Sequence, residues 1–269
     1  MRDPDTEIDW DQITNYGPIV LYTRLGLGDQ IVAAGLVNYL SQKFAHVYWI
    51  CRERYVVSVN HLMQAVHNVT IVSCPFEHPN MEEAGIQFIN DLCNQHNAQL
   101  FHAQHGWTYN TQLSWMEGTY EQYQLPYQAR YDYCPPILPG PRSQKLFDSL
   151  RPNNKPYVLC HLTSSEKDSY DVDVFQGRPK DIFRNKDILY ITPLTNNIFD
   201  WVDLLQNADE IHLVASSIHT LCESLQHQLK NTIYFHHIRD HTTICPQRMV
   251  TPHMGSNWSI VEYDTKQFR

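Results

Sequence analysis

The sequence predicts an α/β protein made of two half-size domains, each with a largely parallel sheet, that face a central cleft. Two observations carry this prediction. Strand and helix patterns alternate in two separate runs along the 269 residues, and a proline-rich segment lies between the runs. Strands that alternate with helices are joined by crossovers, which makes neighbouring strands parallel. Domains of about 100–150 residues are the commonest, so two of them fit this length.

The first run contains predicted strands and helices in strict alternation. Short apolar stretches predict strands near residues 19–23, 46–51, 69–72 and 100–104. Apolar residues at helical spacing predict helices near residues 30–44, 58–66 and 82–96. This run is the expected first domain, residues 1–135.

Closely spaced prolines mark residues 136–156 as the expected linker. The sequence around them reads YDYCPPILPGPRSQ and then RPNNKP. Proline has no backbone N–H and a fixed φ, so it forbids regular structure over much of this stretch. A short helix is expected inside the linker, near residues 143–150, and the second domain is expected at residues 157–269.

The second run repeats the alternation of the first. Strands are predicted near residues 157–161, 188–191, 210–214 and 232–235, with helices near residues 198–206 and 217–225. The carboxyl ends of parallel strands meet at one edge of a sheet, so the residues that follow the strands are expected to line the cleft. These cleft residues are 24–30 and 102–107 in the first domain and 163–167 and 216–219 in the second.

The charge balance narrows the possible partners. Formal net charge is −9, from 29 acidic and 20 basic residues, with no tract of clustered Lys or Arg. Nucleic-acid binding depends on neutralising phosphates, so this balance disfavours a nucleic-acid partner but leaves room for one small phosphate ligand. No run reaches the roughly 18 apolar residues of a membrane span, and the first residues, MRDPDTEIDW, are acidic. A cytoplasmic protein is therefore expected.

The cysteines and histidines predict neither disulfides nor a metal centre. The seven cysteines form no Cys-x-x-Cys pair and most lie in apolar segments, which indicates buried thiols in a reducing compartment. The densest histidine cluster is His236, His237 and His241 with Asp240. This cluster follows a strand and is expected to form a loop, where the ligand spacing of a helix is not assured.

Three segments resemble parts of GT-B glycosyltransferases, especially the heptosyltransferase-like group. Residues 24–40, RLGLGDQIVAAGLVNYL, resemble the glycine-acid turn and first helix of that group. Residues 197–225, NIFDWVDLLQNADEIHLVASSIHTLCESL, resemble the late strand, serine-rich turn and helix that bind the donor's diphosphate and nucleoside. Residues 112–132, QLSWMEGTYEQYQLPYQARYD, are similar to an aromatic segment in small glycosyltransferase-like proteins of bacteria and viruses. Where the heptosyltransferase pattern has an Asp-Thr pair, this sequence has Ala215, Ser216 and Ser217.

The resemblance implies two Rossmann-like domains in a compact, GT-B-like fold. It implies an enzyme that moves a sugar from a nucleotide-diphosphate donor to a hydroxyl acceptor without a metal ion. The nucleotide sugar would be a co-substrate, so no further cofactor is expected. The acceptor would be a glycan or another hydroxyl compound, and the expected location is the cytoplasm, or the host cytoplasm if the protein is viral.

Asp29 is the candidate catalytic base. Such a transfer needs a base near the attacking hydroxyl, and a carboxylate directly before the first helix would stay ionised beside the helix N-terminus. Asp is also well suited to capping that helix, which would give it no catalytic role. Gly26 and Gly28 would let the backbone turn sharply and approach the substrate, or would simply join strand to helix.

The donor side needs hydroxyl, N–H or cationic groups, because the departing diphosphate carries the charge that develops in the transition state. Ser216 and Ser217 stand where a strand ends and a helix begins, a position that also suits a serine N-cap. His219 and Glu223 lie four residues apart on that helix, and Glu223 would accept from ribose hydroxyls or be a solvated surface acid. The remaining donor-side candidates are Thr163, Ser164, Ser165, Lys167 and Arg178.

The acceptor side takes residues of the first domain. His102, His105 and Trp107 follow the fourth predicted strand, and aromatic rings stack on sugars or bases. Aromatic packing over the core of the first domain is the alternative for this region. The other acceptor-side candidates belong to the first turn and are Arg24, Gly26, Gly28 and Gln30.

Three other classes of protein stay open. Gly26-x-Gly28, with Glu53 after the second strand, resembles the start of a dinucleotide fingerprint, but Ile31 occupies the third glycine position. A GT-B-like nucleotide-sugar epimerase or hydrolase would share the cleft, and a second acid facing Asp29 would favour it. A non-catalytic module would bind a nucleotide or a glycan without turnover.

Overall fold

The structure is a computed structural model that describes residues 16–23, 26–76, 83–103, 115–151, 155–163, 172, 174–175, 183–238 and 256–263. The chain divides into two compact units, residues 1–136 and residues 137–269. Each unit contains one parallel sheet and several helices. The predicted α/β class is therefore confirmed.

The first unit is built on a four-stranded parallel sheet in the order β3-β2-β1-β4. Its strands are β1 Ile19–Thr23, β2 Val47–Arg52, β3 Val69–Cys74 and β4 Gln99–Ala103. All five residues of β1 are buried, as its apolar run predicts. The chain adds β2 and β3 on one side of β1 and then β4 on the other, so the strand order switches direction between β1 and β4. Ligand sites of open α/β sheets lie outside the carboxyl ends of the strands at such a switch point.

The described α-helices of the first unit are α1 Leu27–Ser41, α2 Val56–Leu62, α3 Glu83–His96, α4 Trp115–Glu121 and α5 Ala129–Asp132. Helix α1 contacts β1 and β2 of the sheet as well as α4 and α5. Ten of its 15 residues are buried, so it lacks the polar stripe of a surface helix.

Gly35 lets α1 approach α5 closely. A Cβ at this position would lie 2.5 Å from the Arg130 carbonyl oxygen and 3.0 Å from the Tyr120 hydroxyl. The Tyr120 hydroxyl donates to the Val32 carbonyl at 2.7 Å and accepts from the Leu36 N–H at 3.2 Å. The aromatic segment is therefore tied directly to the helix that follows the glycine-acid turn.

The second unit is built on a five-stranded parallel sheet in the order β6-β5-β7-β8-β9. Its strands are β5 Tyr157–His161, β6 Asp187–Tyr190, β7 Glu210–Leu213, β8 Thr232–His237 and β9 Trp258–Glu262. Strand β7 pairs with β5 although β6 lies between them in the chain, so the switch point of this sheet falls between β5 and β7. The described helices are α6 Ser143–Leu150, α7 Val202–Asn207 and α8 Ser217–Ser224, with a 3₁₀ turn at Ile198–Trp201.

Part of the proline-rich segment packs into the second unit. Helix α6 contacts α7 and the 3₁₀ turn that precedes α7. The Gly140 N–H donates to the Phe199 carbonyl at 2.8 Å. The buried Asp200 carboxylate accepts from the backbone N–H and the Nε of Arg142, both at 3.1 Å. These contacts attach the start of the segment to the second sheet's helices.

The helices and strands predicted from sequence are present, with ends displaced by a few residues. The largest displacement at a predicted site is in α1, which begins at Leu27 and so includes Gly28 and Asp29. Three further elements, α4, α5 and β9, are not predicted from the sequence. Within the described ranges, α1 is the longest helix, and none has the length and apolar character needed to cross a membrane.

Candidate functional site

The turn after β1 places Asp29 in the first turn of α1. Gly26 is the N-cap residue, and its N–H donates to Asp29 Oδ2 at 3.1 Å. A carboxylate at this position is stabilised by the partial positive charge of the helix N-terminus. The expectation that Asp29 precedes the helix is wrong, because the helix begins two residues earlier. Asp29 is half-buried and takes part in capping.

Gly26 gives the Asp29 carboxylate its space. A Cβ on Gly26 would lie 2.5 Å from Asp29 Oδ2, well inside contact distance. The backbone of Gly26 has φ −67° and ψ 147°, an extended conformation that any residue adopts. The backbone angles would accept an alanine here, but its Cβ would displace the neighbouring carboxylate. Gly28 lies in the first turn of the helix and is half-buried.

Gln30 connects helix α1 to the end of β1 through a buried hydrogen bond. Its side chain is fully buried, and Nε2 donates to the Thr23 hydroxyl at 2.8 Å. Trp49 Nε1 donates to the same hydroxyl at 3.1 Å. Thr23 ends β1, so these two bonds fix the end of the strand to α1 and β2. The expectation that Gln30 lines a cleft is corrected by this burial.

His102 lies on β4, beside the switch point of the first sheet. Its ring meets the Tyr22 ring edge-on at 5.7 Å, and its carbonyl accepts from the Tyr123 hydroxyl at 2.9 Å. The ring is half-buried. The other predicted acceptor-side residues, Arg24, His105 and Trp107, lie outside the described residues.

At the switch point of the second sheet, one imidazole joins two hydroxyls from different strand ends. His161 is the last residue of β5, and its Nε2 lies 3.2 Å from the Thr163 hydroxyl. Its Nδ1 lies 3.0 Å from the Ser216 hydroxyl, which follows β7. The register that pairs His161 with Leu213 brings the two strand ends together. Two of the predicted donor-side residues thus meet through a histidine that was not predicted.

Ser216 caps helix α8. Its hydroxyl accepts from the His219 N–H at 3.3 Å, and its carbonyl accepts from the Thr220 N–H at 3.1 Å. Ser217 is the first helical residue and is half-buried. The N–H groups of the first helical turn have no acceptor inside the helix, so this end of α8 can receive an anion.

Burial lowers the pKa of His161 to about 4, because a charged imidazole would lose hydration. The ring is therefore neutral at pH 7, with one N–H and one lone pair. A neutral imidazole accepts from one hydroxyl and donates to the other, which matches its two hydroxyl neighbours.

His219 and Glu223 lie in the core of the second unit. Their side chains are 7% and 2% exposed, with His219 Nε2 3.9 Å from Glu223 Oε1. The His219 ring packs on Phe235 at 4.5 Å and meets Trp258 edge-on at 5.7 Å. Glu223 is thus neither a solvated surface acid nor an acid open to a ribose, which corrects both expectations. The pair joins α8 to β8 and β9.

The other predicted donor-side residues, Ser164, Ser165, Lys167 and Arg178, lie outside the described residues.

In the histidine cluster, His236 Nε2 lies 2.9 Å from His212 Nδ1, and its Nδ1 lies 2.7 Å from the Tyr263 hydroxyl. His237 Nδ1 lies 2.8 Å from Glu262 Oε2. Neighbouring residues of a strand point to opposite faces, so the two histidines do not converge. Within the described ranges no group of three or more His, Cys, Asp or Glu could hold a metal ion.

The two parallel sheets, with polar residues at both switch points, have the fold of the GT-B glycosyltransferases. The fold neighbours are of the heptosyltransferase-like group. A glycosyl transferase family 9 protein from Veillonella parvula DSM 2008 is similar with a TM-score of 0.56 and 11% identity, over 94% of this chain and 88% of that chain. The E. coli ADP-heptose LPS heptosyltransferase II is similar with a TM-score of 0.52 and 8% identity, over 90% of each chain. No family model and no curated protein matches the sequence.

Proposed function

We propose that the protein is a metal-independent glycosyltransferase that moves a sugar from a nucleotide-diphosphate donor to a hydroxyl acceptor. Support comes first from the fold neighbours, which are a glycosyl transferase and a heptosyltransferase by description. At such low identity the likeness shows the fold alone, and further support comes from the residues at the two switch points.

The observation that carries the proposal is the cluster of Thr163, His161 and Ser216 at the carboxyl edge of the second sheet. The cluster lies at the β5/β7 switch point and adjoins the N-terminus of α8. Hydroxyl and backbone N–H donors in this arrangement suit the negative charge that builds on a departing diphosphate. At least one cation, from Lys167 or Arg178, is expected to reach the phosphate as well, and together these groups would neutralise the charge that a metal ion neutralises in other enzymes.

Asp29 supplies the base in this proposal. The hydrogen bond from Gly26 N–H to Oδ2 favours the ionised carboxylate and fixes its direction. A carboxylate has about four acceptor positions on its two oxygens, so capping of the helix and proton abstraction are compatible roles for the same side chain.

The test is release of the nucleoside diphosphate from a panel of nucleotide sugars, with glycans present as hydroxyl acceptors, by the wild type and by Asp29→Asn. We expect Asp29→Asn to lower kcat by about 10²–10⁴-fold, because a general base contributes that much. The dissociation constant of the donor should stay within about threefold, since in this proposal Asp29 acts on the acceptor hydroxyl and not on the donor. EDTA should not change the wild-type rate.

Asp91→Asn is the matched control. Asp91 is an exposed acid on α3 that accepts from Gln87 Nε2 at 2.6 Å. Its substitution should leave both kcat and donor affinity unchanged. Turnover that persists in Asp29→Asn would exclude Asp29 as the base. Donor binding with no turnover in the wild type would instead favour a binding module in which Asp29 only caps α1.

A further inference from the structure

Two buried tyrosines of the aromatic segment bond to the two elements on either side of the first sheet's switch point. Tyr120 lies in α4, Tyr123 follows that helix, and both residues are fully buried. The Tyr123 N–H donates to the Tyr120 carbonyl at 2.9 Å, so the two residues belong to one tight turn. Burial raises the pKa of both phenols far above the ordinary value, and each hydroxyl therefore keeps its proton as a donor.

Tyr120 holds helix α1 close to its first turn. The Tyr120 hydroxyl donates to the Val32 carbonyl at 2.7 Å and accepts from the Leu36 N–H at 3.2 Å. These backbone groups are an i, i+4 pair of α1, and a hydroxyl that bonds to both members of such a pair can change the direction of a helix. Val32 follows Asp29 by less than one helical turn. The position of the candidate base therefore depends on Tyr120.

Tyr123 holds the strand on the other side of the switch point. Its hydroxyl donates to the His102 carbonyl at 2.9 Å, and its ring lies 6.5 Å from the Phe101 ring. Both partners belong to β4, which pairs with β1. The acceptor-side residues are expected at the carboxyl end of β4, so Tyr123 fixes the backbone at which they begin.

We propose that Tyr120 and Tyr123 are positioning residues that set the separation between Asp29 and the acceptor-binding end of β4. This inference rests on the proposed glycosyltransferase function and adds to it a determinant of acceptor placement. Proton abstraction requires the acceptor hydroxyl within hydrogen-bond reach of the carboxylate, and a misplacement of about 1 Å costs on the order of 100-fold in rate. Both tyrosine hydroxyls bond to backbone, so they act through α1 and β4 and not on a substrate.

Single hydroxyl deletions in the full-length protein test this inference. Tyr120→Phe and Tyr123→Phe each remove one oxygen and leave the ring in place. We expect each to lower kcat for transfer to a glycan acceptor by about 10-fold, less than a full 1 Å misplacement would cost, because the rings remain packed. The dissociation constants of ADP, GDP, UDP and CDP, measured by calorimetry, should stay within about threefold of wild type, since both tyrosines belong to the acceptor side.

Tyr157→Phe is the matched control. Tyr157 is a buried residue at the start of β5 in the second unit, and its hydroxyl donates to the Leu204 carbonyl at 2.6 Å. This variant loses the same group from the same kind of bond, so its thermal midpoint should fall about as far as that of Tyr123→Phe. Its kcat should stay within about twofold of wild type. Equal losses of kcat in all three Phe variants would mean that kcat follows destabilisation alone, and would overturn the inference.

Combination with Asp29→Asn distinguishes positioning of the base from other effects on the rate. If the tyrosines act through the distance between base and acceptor, adding either Phe substitution to Asp29→Asn should lower the remaining kcat by no more than about twofold. A second loss of about 10-fold in the Asp29→Asn background would overturn the inference.

A further measurement uses the free protein. The backbone amide of Gly26 reports on its hydrogen bond to Asp29 Oδ2. In proton–nitrogen NMR spectra this amide signal should shift in Tyr120→Phe and stay in place in Tyr157→Phe. An unchanged signal in Tyr120→Phe would show that the Tyr120 hydroxyl does not set the position of the carboxylate, which would overturn the inference.

The proposed function fails in a different way. If the wild type releases no nucleoside diphosphate from any nucleotide sugar, the glycosyltransferase proposal falls, and the role of the two tyrosines in that reaction falls with it, whatever the Gly26 signal does. If the wild type turns over, but the pattern of the Phe variants or the Gly26 signal is wrong, the positioning role alone falls.

Discussion

The two switch points of this protein are built in opposite ways. In the first sheet, the candidate base Asp29 is held by the backbone of its own turn, since Gly26 lies only three residues away. In the second sheet, the hydroxyls of Thr163 and Ser216 come from different strand ends and meet through His161. The first arrangement is local in sequence and the second depends on strand register. Residue spacing alone can predict a site whose parts lie close together in the sequence. It cannot predict His161 at the centre of the second site, because the pairing of β5 with β7 brings that residue to the two hydroxyls.

Among changes that leave Asp29 itself in place, the largest expected effect comes from Gly26, next to the carboxylate. In Gly26→Ala the new Cβ would lie 2.5 Å from Asp29 Oδ2, so the carboxylate must move. A displacement of about 1 Å at a reacting group costs on the order of 100-fold in rate. We therefore expect kcat to fall by about 100-fold, while circular dichroism and the thermal midpoint report a folded protein.

The control for Gly26→Ala is its combination with Asp29→Asn. If the alanine acts by moving the carboxylate, the double variant should be no slower than Asp29→Asn alone. Wild-type kcat in Gly26→Ala would contradict the assignment of Asp29 as the base in its observed position.

The next largest effect is on the free energy of unfolding and concerns the buried side chain of Gln30, which follows the same turn. Gln30 is fully buried and donates to Thr23, which also accepts from Trp49. Gln30→Ala removes this bond and leaves a cavity, and we expect the free energy of unfolding to fall by about 1–3 kcal/mol in urea denaturation. The matched control is Gln42→Ala at the exposed C-cap of α1, which should change it by no more than about 0.5 kcal/mol. Equal losses in the two variants would contradict the supporting role of Gln30.

Most of the fold follows from the sequence because buried strands carry an unmistakable apolar run. β1 and β5 are predicted to the residue, and both are almost fully buried. β9 was not predicted, since it is a sheet-edge strand whose residues are half-buried or exposed. The start of α1 was placed too late because LGLGD resembles a turn, while the helix accommodates Gly28 and Asp29 in its first turn.

The candidate site was predictable only where the signal is local. Ser216 was recognisable as a residue at the junction of strand and helix, and it does cap α8. His161 gave no such signal, because its role depends on the register that sets β5 beside β7. His219 and Glu223 were misjudged for the opposite reason: their i, i+4 spacing is real, but the face they share turns toward β8 and β9.

The smallest expected effect is a pH dependence of the unfolding free energy that comes from His161 in the second sheet. Burial holds the pKa of His161 at about 4, below the 6.5 of the unfolded chain, so unfolding takes up a proton between these values. His161 thus contributes stability that is fully present above pH 6.5 and is lost as the pH falls from 6.5 toward 4. Between pH 6.5 and 5.5 the wild type should lose about 1 kcal/mol of unfolding free energy relative to His161→Gln, which has no titrating group there. Parallel urea titrations of both proteins measure this difference. A constant difference across that range would mean that the ring protonates equally in the folded and unfolded chains, and the neutral bridge between Thr163 and Ser216 would then have no basis.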